Sequence, residues 1–467
     1  MLTYNFEDRD CPIYEYVYKC VKNDILSGRL KPGEKLPSKR SFANNNGIST
    51  ITIQNAYDQL ISEGYVYTLP KKGYYVSNIE GMANPAQTPL DVDYDIEIPQ
   101  KKQYKIDFSG NEFSAENFPF SVWTKISREV MTEKKEELMN VAPVCGVNEL
   151  REAIARHLRS FRGMMVDPNQ IIIGAGTEYL YGLITELLGN DKIYTIENPG
   201  YKKLAMIYRQ REITCKYAAM DEQGVTAASL ENVKTDVAHI CPNHHFPTGI
   251  TMPASRRYEI LSWANAREGR YVIEDDYDSE FRTEGKPIPT LFSIDGCEKV
   301  IYMNTFSKSL SPTIRISYMV LPVKLVRRFY QNMSFYSCTV SNFEQYTLAE
   351  FIMRGYFEKH INRMRLYYIR KRKRIIETIK QSILSDKCEI IENDSGLHFL
   401  VKLKTDFPDS KIENELEKRK IRIRALSDYY FEKNEEREHF FIINYSNIEA
   451  EEIGPFLKTI EKVLSEN

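Results

Sequence analysis

Apolar residues recur at helical spacing over Ile13–Leu26, where Ile13, Val17, Val21 and Ile25 share one face and Gly28 follows as a stop signal. A basic, turn-rich run leads to Ser38, which is placed to cap a short helix over 39–46. Gly47 predicts a turn and Ser49 a second cap. Residues 50–63 then form a second amphipathic pattern with Ile53, Tyr57, Leu60 and Ile61 inward. Apolar and polar positions alternate over 65–76 around Pro70-Lys71-Lys72-Gly73, the pattern of a hairpin. Two short helices joined at 46–49 and followed by a hairpin make a winged helix-turn-helix.

Periodicity fails between 77 and 102, where Pro85, Pro89 and Pro99 stand among Glu80, Asp91, Asp93, Asp95 and Glu97. That stretch reads as an extended tether. From 103 onward, short apolar strand-like runs alternate with helical patterns, which argues for a mostly parallel sheet with crossover helices. The expected organisation is therefore a domain over 1–77, a linker over 78–103 and a large α/β domain over 104–467.

In a parallel α/β sheet, ligands sit beyond the carboxyl ends of the strands. The run 170–173 leads into Gly174-Ala175-Gly176-Thr177-Glu178, a glycine-rich turn into a helix that suits a phosphate. No GK[ST] follows, so it is not a P-loop. The run 192–196 ends in Glu197-Asn198-Pro199-Gly200-Tyr201, which presents an aromatic ring. The run 237–240 ends in CPNHHFPTG at 241–249, and 271–273 ends in EDDYDSEF at 274–281. Carboxylates crowded at a buried strand end are costly unless something cationic sits there. The run 300–303 leads to Lys308, set between Ser307 and Ser309, with Arg315 seven residues on. Partial desolvation lowers a lysine's pKa and frees its amine as a nucleophile.

Pyridoxal phosphate needs these parts together: a lysine amine, a carboxylate for its ring nitrogen, an anion cradle and an aromatic partner. The alternative for the same residues is one salt-bridge network of strand-end acids and a lysine. At the other end of the chain, the helix starts at Ser38 and Ser49 offer backbone N–H groups to DNA phosphates. Lys39, Arg40, Lys71 and Lys72 supply local positive charge, with Gly73 closing the wing. Thr50, Thr52 and Gln54 lie at the start of the second helix, where side chains reach base edges.

Composition narrows the classes. At 467 residues two or three domains are expected, and the net charge of −2 gives no chain-wide affinity for polyanions. Any DNA contact must come from local charge. Eight scattered cysteines form no CxxC pair, so neither a metal site nor a disulfide framework is expected. The N-terminus lacks an apolar secretion segment and no apolar run is long enough to span a bilayer, so the expected location is cytoplasmic.

These motifs carry a resemblance. Leu36-Pro-Ser-Lys-Arg40, Ala56-Tyr-Asp-Gln-Leu60, Glu63-Gly-Tyr65 and Gly73-Tyr-Tyr-Val76 resemble the GntR-type winged helix. ENPGY at 197–201, HxFPTG at 244–249, IEDDYDSEF at 273–281 and TFSKSL at 305–310 resemble fold-type I aminotransferases. The whole chain resembles the MocR family of transcriptional regulators, close to its GABA-sensing, GabR-like branch. The resemblance implies that Lys308 holds pyridoxal 5′-phosphate as an internal aldimine and that Asp275 pairs with the ring nitrogen, with Asp276 as the alternative. It implies that Tyr277 bonds the ring oxygen, that Tyr201 stacks on the ring and that His245 lies near it. Ala175, Gly176, Thr177, Thr305 and Arg315 would hold the phosphate.

The resemblance further implies a head-to-tail homodimer that binds an operator in double-stranded DNA and senses an amino-containing small molecule, or the cofactor itself, through chemistry at Lys308. The alternative is a working aminotransferase with a fused DNA-binding domain. Three positions depart from the family pattern. Thr50 stands where an arginine is common, Lys203 replaces an effector-binding arginine, and Asp428 stands at a second one. Arg422 and Arg424 are the nearby candidates for an effector carboxylate. The effector is therefore open.

Overall fold

The apolar stripe of the first helix becomes the centre of a small core. In the computed structural model, α1 (Ile13–Leu26) buries Val17, Val21 and Ile25 against Phe42, Ile53, Tyr57 and Leu60. These come from α2 (Lys39–Asn46) and α3 (Thr50–Ser62). The caps are where serine chemistry puts them: Ser38 Oγ accepts from the Ser41 N–H at 3.2 Å and Ser49 Oγ from the Thr52 N–H at 3.1 Å. Gly47 ends α2 at φ +67°, a left-handed conformation that glycine adopts without strain. The hairpin pairs β1 (Val66–Leu69) with β2 (Gly73–Val76), Val66 opposite Val76 and Leu69 opposite Gly73.

The chain divides into two units, Met1–Gln100 and Lys101–Asn467. The structure describes residues 2–6, 11–79, 102–110, 114–282, 288–392, 396–431, 438–446 and 448–465. Most of the tether expected over 78–103 lies outside them.

The second unit begins with β3 (Ile106–Asp107), then α4 (Phe120–Glu133), α5 (Lys135–Met139) and α6 (Asn148–Arg162). A βα alternation follows: β4 (Ile171–Gly174), α7 (Thr177–Leu188), β5 (Tyr194–Asn198), α8 (Lys202–Gln210) and β6 (Cys215–Asp221). It continues through β7 (Gly224–Val225), α9 (Ala227–Asn232), β8 (Val237–Ile240), α10 (Ala254–Asn265), β9 (Tyr271–Asp275) and α11 (Leu291–Ile294). Next come β10 (Val300–Thr305), α12 (Phe306–Ser309), β11 (Ser317–Val320), α13 (Val323–Met333), α14 (Asn342–Met353) and the long α15 (Tyr356–Lys380). The C-terminal portion holds β12 (Cys388–Ile391), β13 (His398–Leu403), α16 (Asp409–Lys418), β14 (Ile421–Arg422), β15 (Arg424–Ala425), β16 (Phe440–Asn444) and α17 (Ala450–Ser465).

Eight strands form the main sheet in the order β4-β11-β10-β9-β8-β5-β6-β7. Helices cover both faces, so strands such as Val300–Thr305 are buried throughout, as a two-sided sheet requires. Strands β10, β9, β8, β5 and β6 run parallel, whereas β11 is antiparallel to both β10 and β4. Only eleven residues, 306–316, connect β10 to β11. That is too short for the crossover a parallel neighbour needs, so the chain turns back. A smaller antiparallel sheet, β12-β13-β16-β15, packs with α15 and α17, and β14 pairs with β3.

Candidate functional site

The ends of β4, β5, β8, β9 and β10 bring five motifs together. Glu274 and Asp275, the last two residues of β9, point to opposite sides because strand residues alternate, and the acids at 276, 278 and 280 lie beyond the strand. Glu274 accepts from the Leu291 and Phe292 N–H groups at 3.0 and 2.9 Å, holding the start of α11. Asp276 accepts from the Tyr302 hydroxyl at 2.7 Å and forms an ion pair with Arg162. Asp278 lies 2.9 Å from His244 Nδ1. Burial pushes the Glu280 carboxyl up to about 8.

Asp275 differs from these. Its Oδ2 accepts from the Tyr181 hydroxyl at 2.8 Å and lies 3.4 Å from His239 Nε2. Tyr208 Oη sits 2.7 Å from the other ring nitrogen of that histidine. Asp275 Oδ1 is buried and, like Glu280 Oε2, has no hydrogen-bond partner among the described residues.

Lys308 lies in α12, the single helical turn that follows β10. Burial lowers its pKa, and the charge of Asp278 opposes that shift. His360 of α15 holds the next residue, with Nε2 2.9 Å from the Ser309 carbonyl. Tyr277 Oη lies 3.2 Å from His244 Nδ1. Tyr201 starts α8, is 45 % exposed and meets Phe246 edge-on at 6.2 Å.

The glycine-rich turn enters α7 with Gly176 at φ +88°. A Cβ there would collide with the Arg315 guanidinium, so glycine lets the arginine lie on the turn. The Ala175 N–H donates to Thr339 Oγ1 at 3.0 Å. Arg315 is half-exposed and 3.6 Å from Glu178. Thr305 Oγ1 is engaged with Ser307 at 3.0 Å and Ser317 at 2.8 Å.

His245 turns away from its neighbour His244. Its Nδ1 is 2.7 Å from Thr248 Oγ1 and its Nε2 3.4 Å from Glu197. Burial pushes His245 down to about 3 and Glu197 up to about 8. Burial therefore disfavours charge on both groups and weakens any ion pair between them.

The three effector candidates are already paired. Lys203 is bound to Glu178. Arg422 lies 3.6 Å from Asp107 across the β3–β14 pair. Arg424 lies 3.3 Å from Glu413 and 3.8 Å from Asp428.

Sequence reasoning passed over Tyr181, His239, His244, Asp278, Thr339 and His398. Tyr181 was legible as the residue four beyond Thr177, on the same helix face. His398 of β13 was not legible. It reaches the site only because the smaller sheet folds back, bringing its ring 4.5 Å from that of His244. Gly396 permits this approach, since a Cβ there would strike the His244 ring.

In the first unit Arg40, Thr50, Gln54, Lys71 and Lys72 are exposed and Gly73 is half-buried. The Lys39 ammonium lies 5.6 Å over the Tyr74 ring, and Thr52 Oγ1 is 2.8 Å from Ser49 Oγ. Ile51, not singled out from sequence, stands 72 % exposed at the start of α3.

The family of bacterial regulatory proteins described as gntR matches residues 13–76, and the family of aminotransferase class I and II matches residues 103–460. The HTH-type transcriptional regulator YdeL of Bacillus subtilis is 36 % identical over 425 residues, covering 90 % of each chain. The probable rhizopine catabolism regulatory protein MocR of Rhizobium meliloti is 29 % identical, covering 91 % of this chain and 88 % of its own. Among solved structures, an archaeal alanine:glyoxylate aminotransferase superposes with a TM-score of 0.69 at 24 % identity, covering 79 % of this chain and 92 % of its own. Among the described residues, no helix is long and apolar enough to cross a membrane. The chain belongs to the MocR family of transcriptional regulators, in which a GntR-type winged helix precedes a fold of the class I and II aminotransferases.

Proposed function

We propose that this regulator binds pyridoxal 5′-phosphate at Lys308 and couples the state of that site to operator binding by its winged helix. Asp275 carries the reading. A buried carboxylate oxygen without a donor costs about 1–3 kcal/mol, and a protonated ring nitrogen is the donor that would satisfy Oδ1. When bound, the cofactor would supply an aldehyde that captures amines and a ring that withdraws electrons.

The chain's own groups divide the work. Lys308, with its pKa lowered by burial, offers an amine ready to bond the aldehyde carbon. Tyr181 and His239 hold the Asp275 carboxylate in place. Tyr277 would donate to the ring oxygen while Tyr201 covers the ring face. The start of α7, with Ala175, Gly176 and Thr177, would cradle the phosphate together with Arg315 and Thr305. Glu178, which sits against Arg315 and Lys203, would give up those cations to a bound anion or effector.

An amino-containing effector would enter past the half-exposed Tyr201 and approach the Lys308 amine. The resulting change in contacts at Tyr201 and Phe246 would bias the fit of the smaller sheet against the larger one. In a head-to-tail dimer, Ser38, Lys39, Arg40, Ser49, Lys71, Lys72 and Gly73 would meet phosphates, and Thr50, Thr52 and Gln54 base edges.

Spectroscopy tests this. Protein prepared with the vitamin should show the visible absorbance of lysine-bound cofactor, and Lys308→Ala should abolish it. No band in either protein would discard the reading.

A further inference from the structure

Helix α15 carries nine lysines and arginines against two glutamates, in a chain whose net charge is −2. Arg363, Arg370 and Arg374 are exposed and stand at i, i+7 and i+11, which places them in one stripe along the helix. At the helical rise, the stripe is about 16 Å long. It walls a groove of about 500 Å³ whose other side is Glu449, Ala450 and Glu451, leading into α17. Glu451 offsets Arg374 at 2.7 Å and Glu449 offsets the buried Lys371 at 3.2 Å. Arg363 donates to the Asn117 carbonyl at 2.7 Å. Arg370 has no ion-pair partner among the described residues. It sits one turn from Arg374, a like-charge spacing that works against the helix unless an anion lies across it.

We infer that this stripe is a second DNA-contacting surface, one that grips the phosphate backbone of duplex DNA in addition to the contacts of the winged helix. The inference rests on the reading of the chain as a DNA-binding regulator. Charge complementarity carries it: duplex DNA presents a negative charge about every 1.7 Å of axis, and planar guanidinium groups match phosphate oxygens in pairs. The contact is to backbone and reads no sequence. An anionic bilayer suits the stripe less well. Leu366 is the exposed apolar side chain among the residues that line the groove, and two acids border it, so there is no apolar face to insert.

The test uses the full chain and two duplexes from the DNA upstream of its own gene, of about two and about six helical turns. Arg363→Gln/Arg370→Gln/Arg374→Gln should bind the longer duplex about ten-fold more weakly. Its dependence of log K on log salt should be shallower by about 2–3, with little change on the shorter duplex. Arg365→Gln, on the opposite face of the helix, should match the parent chain. Arg370→Gln alone, which breaks no ion pair, should flatten the slope by about 1 and serves if the triple variant folds poorly. Unchanged affinity and slope on the longer duplex would overturn the inference. So would loss of binding to anionic lipid vesicles with DNA binding intact. If the parent chain binds neither duplex, the regulator reading itself fails, and this inference with it.

Discussion

Arg162, the last residue of α6, is ion-paired with Asp276 beyond the end of β9, with the two side chains 3 % and 1 % exposed. The Tyr302 hydroxyl completes the cluster. This pair commits Asp276 to other partners than those of Asp275, and of these two adjacent carboxylates it is Asp275 that keeps an oxygen without a hydrogen-bond partner among the described residues. Removing one partner of a buried pair strands the other charge, so Arg162→Met should destabilise the large unit by about 3–5 kcal/mol. Adding Asp276→Asn should recover part of that loss. Equilibrium denaturation measures both. An Arg162→Met chain as stable as the parent would show that the pair is not buried in solution.

Asp275→Asn should weaken retention of the cofactor at least ten-fold, because a neutral amide no longer favours a protonated ring nitrogen. Asp276→Asn should lower stability while leaving the absorbance of lysine-bound cofactor in place. Dialysis followed by absorbance separates the two. Equal retention by both variants would remove Asp275 from its proposed role.

Stability should fall with acid through His157 and His360. Burial pushes His157 and His360 down to about 4. An unfolded histidine titrates near 6.5, so below that pH the unfolded chain binds protons that the folded chain refuses. The contribution is complete above about pH 6.5 and is lost progressively towards pH 4, by roughly 1–3 kcal/mol for each histidine. Glu197 acts in the opposite sense. With its carboxyl pushed up to about 8, it costs nothing at low pH and destabilises increasingly as pH rises from the unfolded carboxylate value to about 8. His157→Leu should flatten the acid limb of a stability–pH curve and Glu197→Gln the neutral limb. Thermal midpoints at several pH values read this directly.

In the small unit, Ser49→Ala removes the cap of α3 and should cost about 1 kcal/mol. Lys71→Gln and Lys72→Gln should leave stability unchanged, weaken binding to all sequences alike and each reduce the salt slope by about 1. Gln54→Ala should instead alter which sequences are preferred. Binding titrations at several salt concentrations distinguish these outcomes.

The winged helix is legible almost residue by residue in the sequence. Its caps, turn glycine and apolar stripe are local signals, and Ile13–Leu26, Lys39–Asn46 and the 66–76 hairpin appear where periodicity puts them. The strand ends that carry ENPGY, EDDYDSEF and Lys308 were legible for the same reason. Each strand in a two-sided sheet is a short apolar run, and chemistry begins where the run stops.

Which carboxylate faces which partner was decided elsewhere. Asp275 and Asp276 are adjacent and chemically identical in sequence. Only the tertiary setting at the end of β9, with Tyr181 beside one and Arg162 beside the other, leaves the first an oxygen without a partner among the described residues and buries the second in an ion pair. His244 and His245 part in the same way, one to Asp278 and one to Glu197. Local sequence determined the elements and the residue types at their ends. The direction of each side chain and the partner it meets came from segments distant along the chain, 34 residues apart for His244 and Asp278 and 114 for Arg162 and Asp276, because burial and electrostatics act through space and not along the chain.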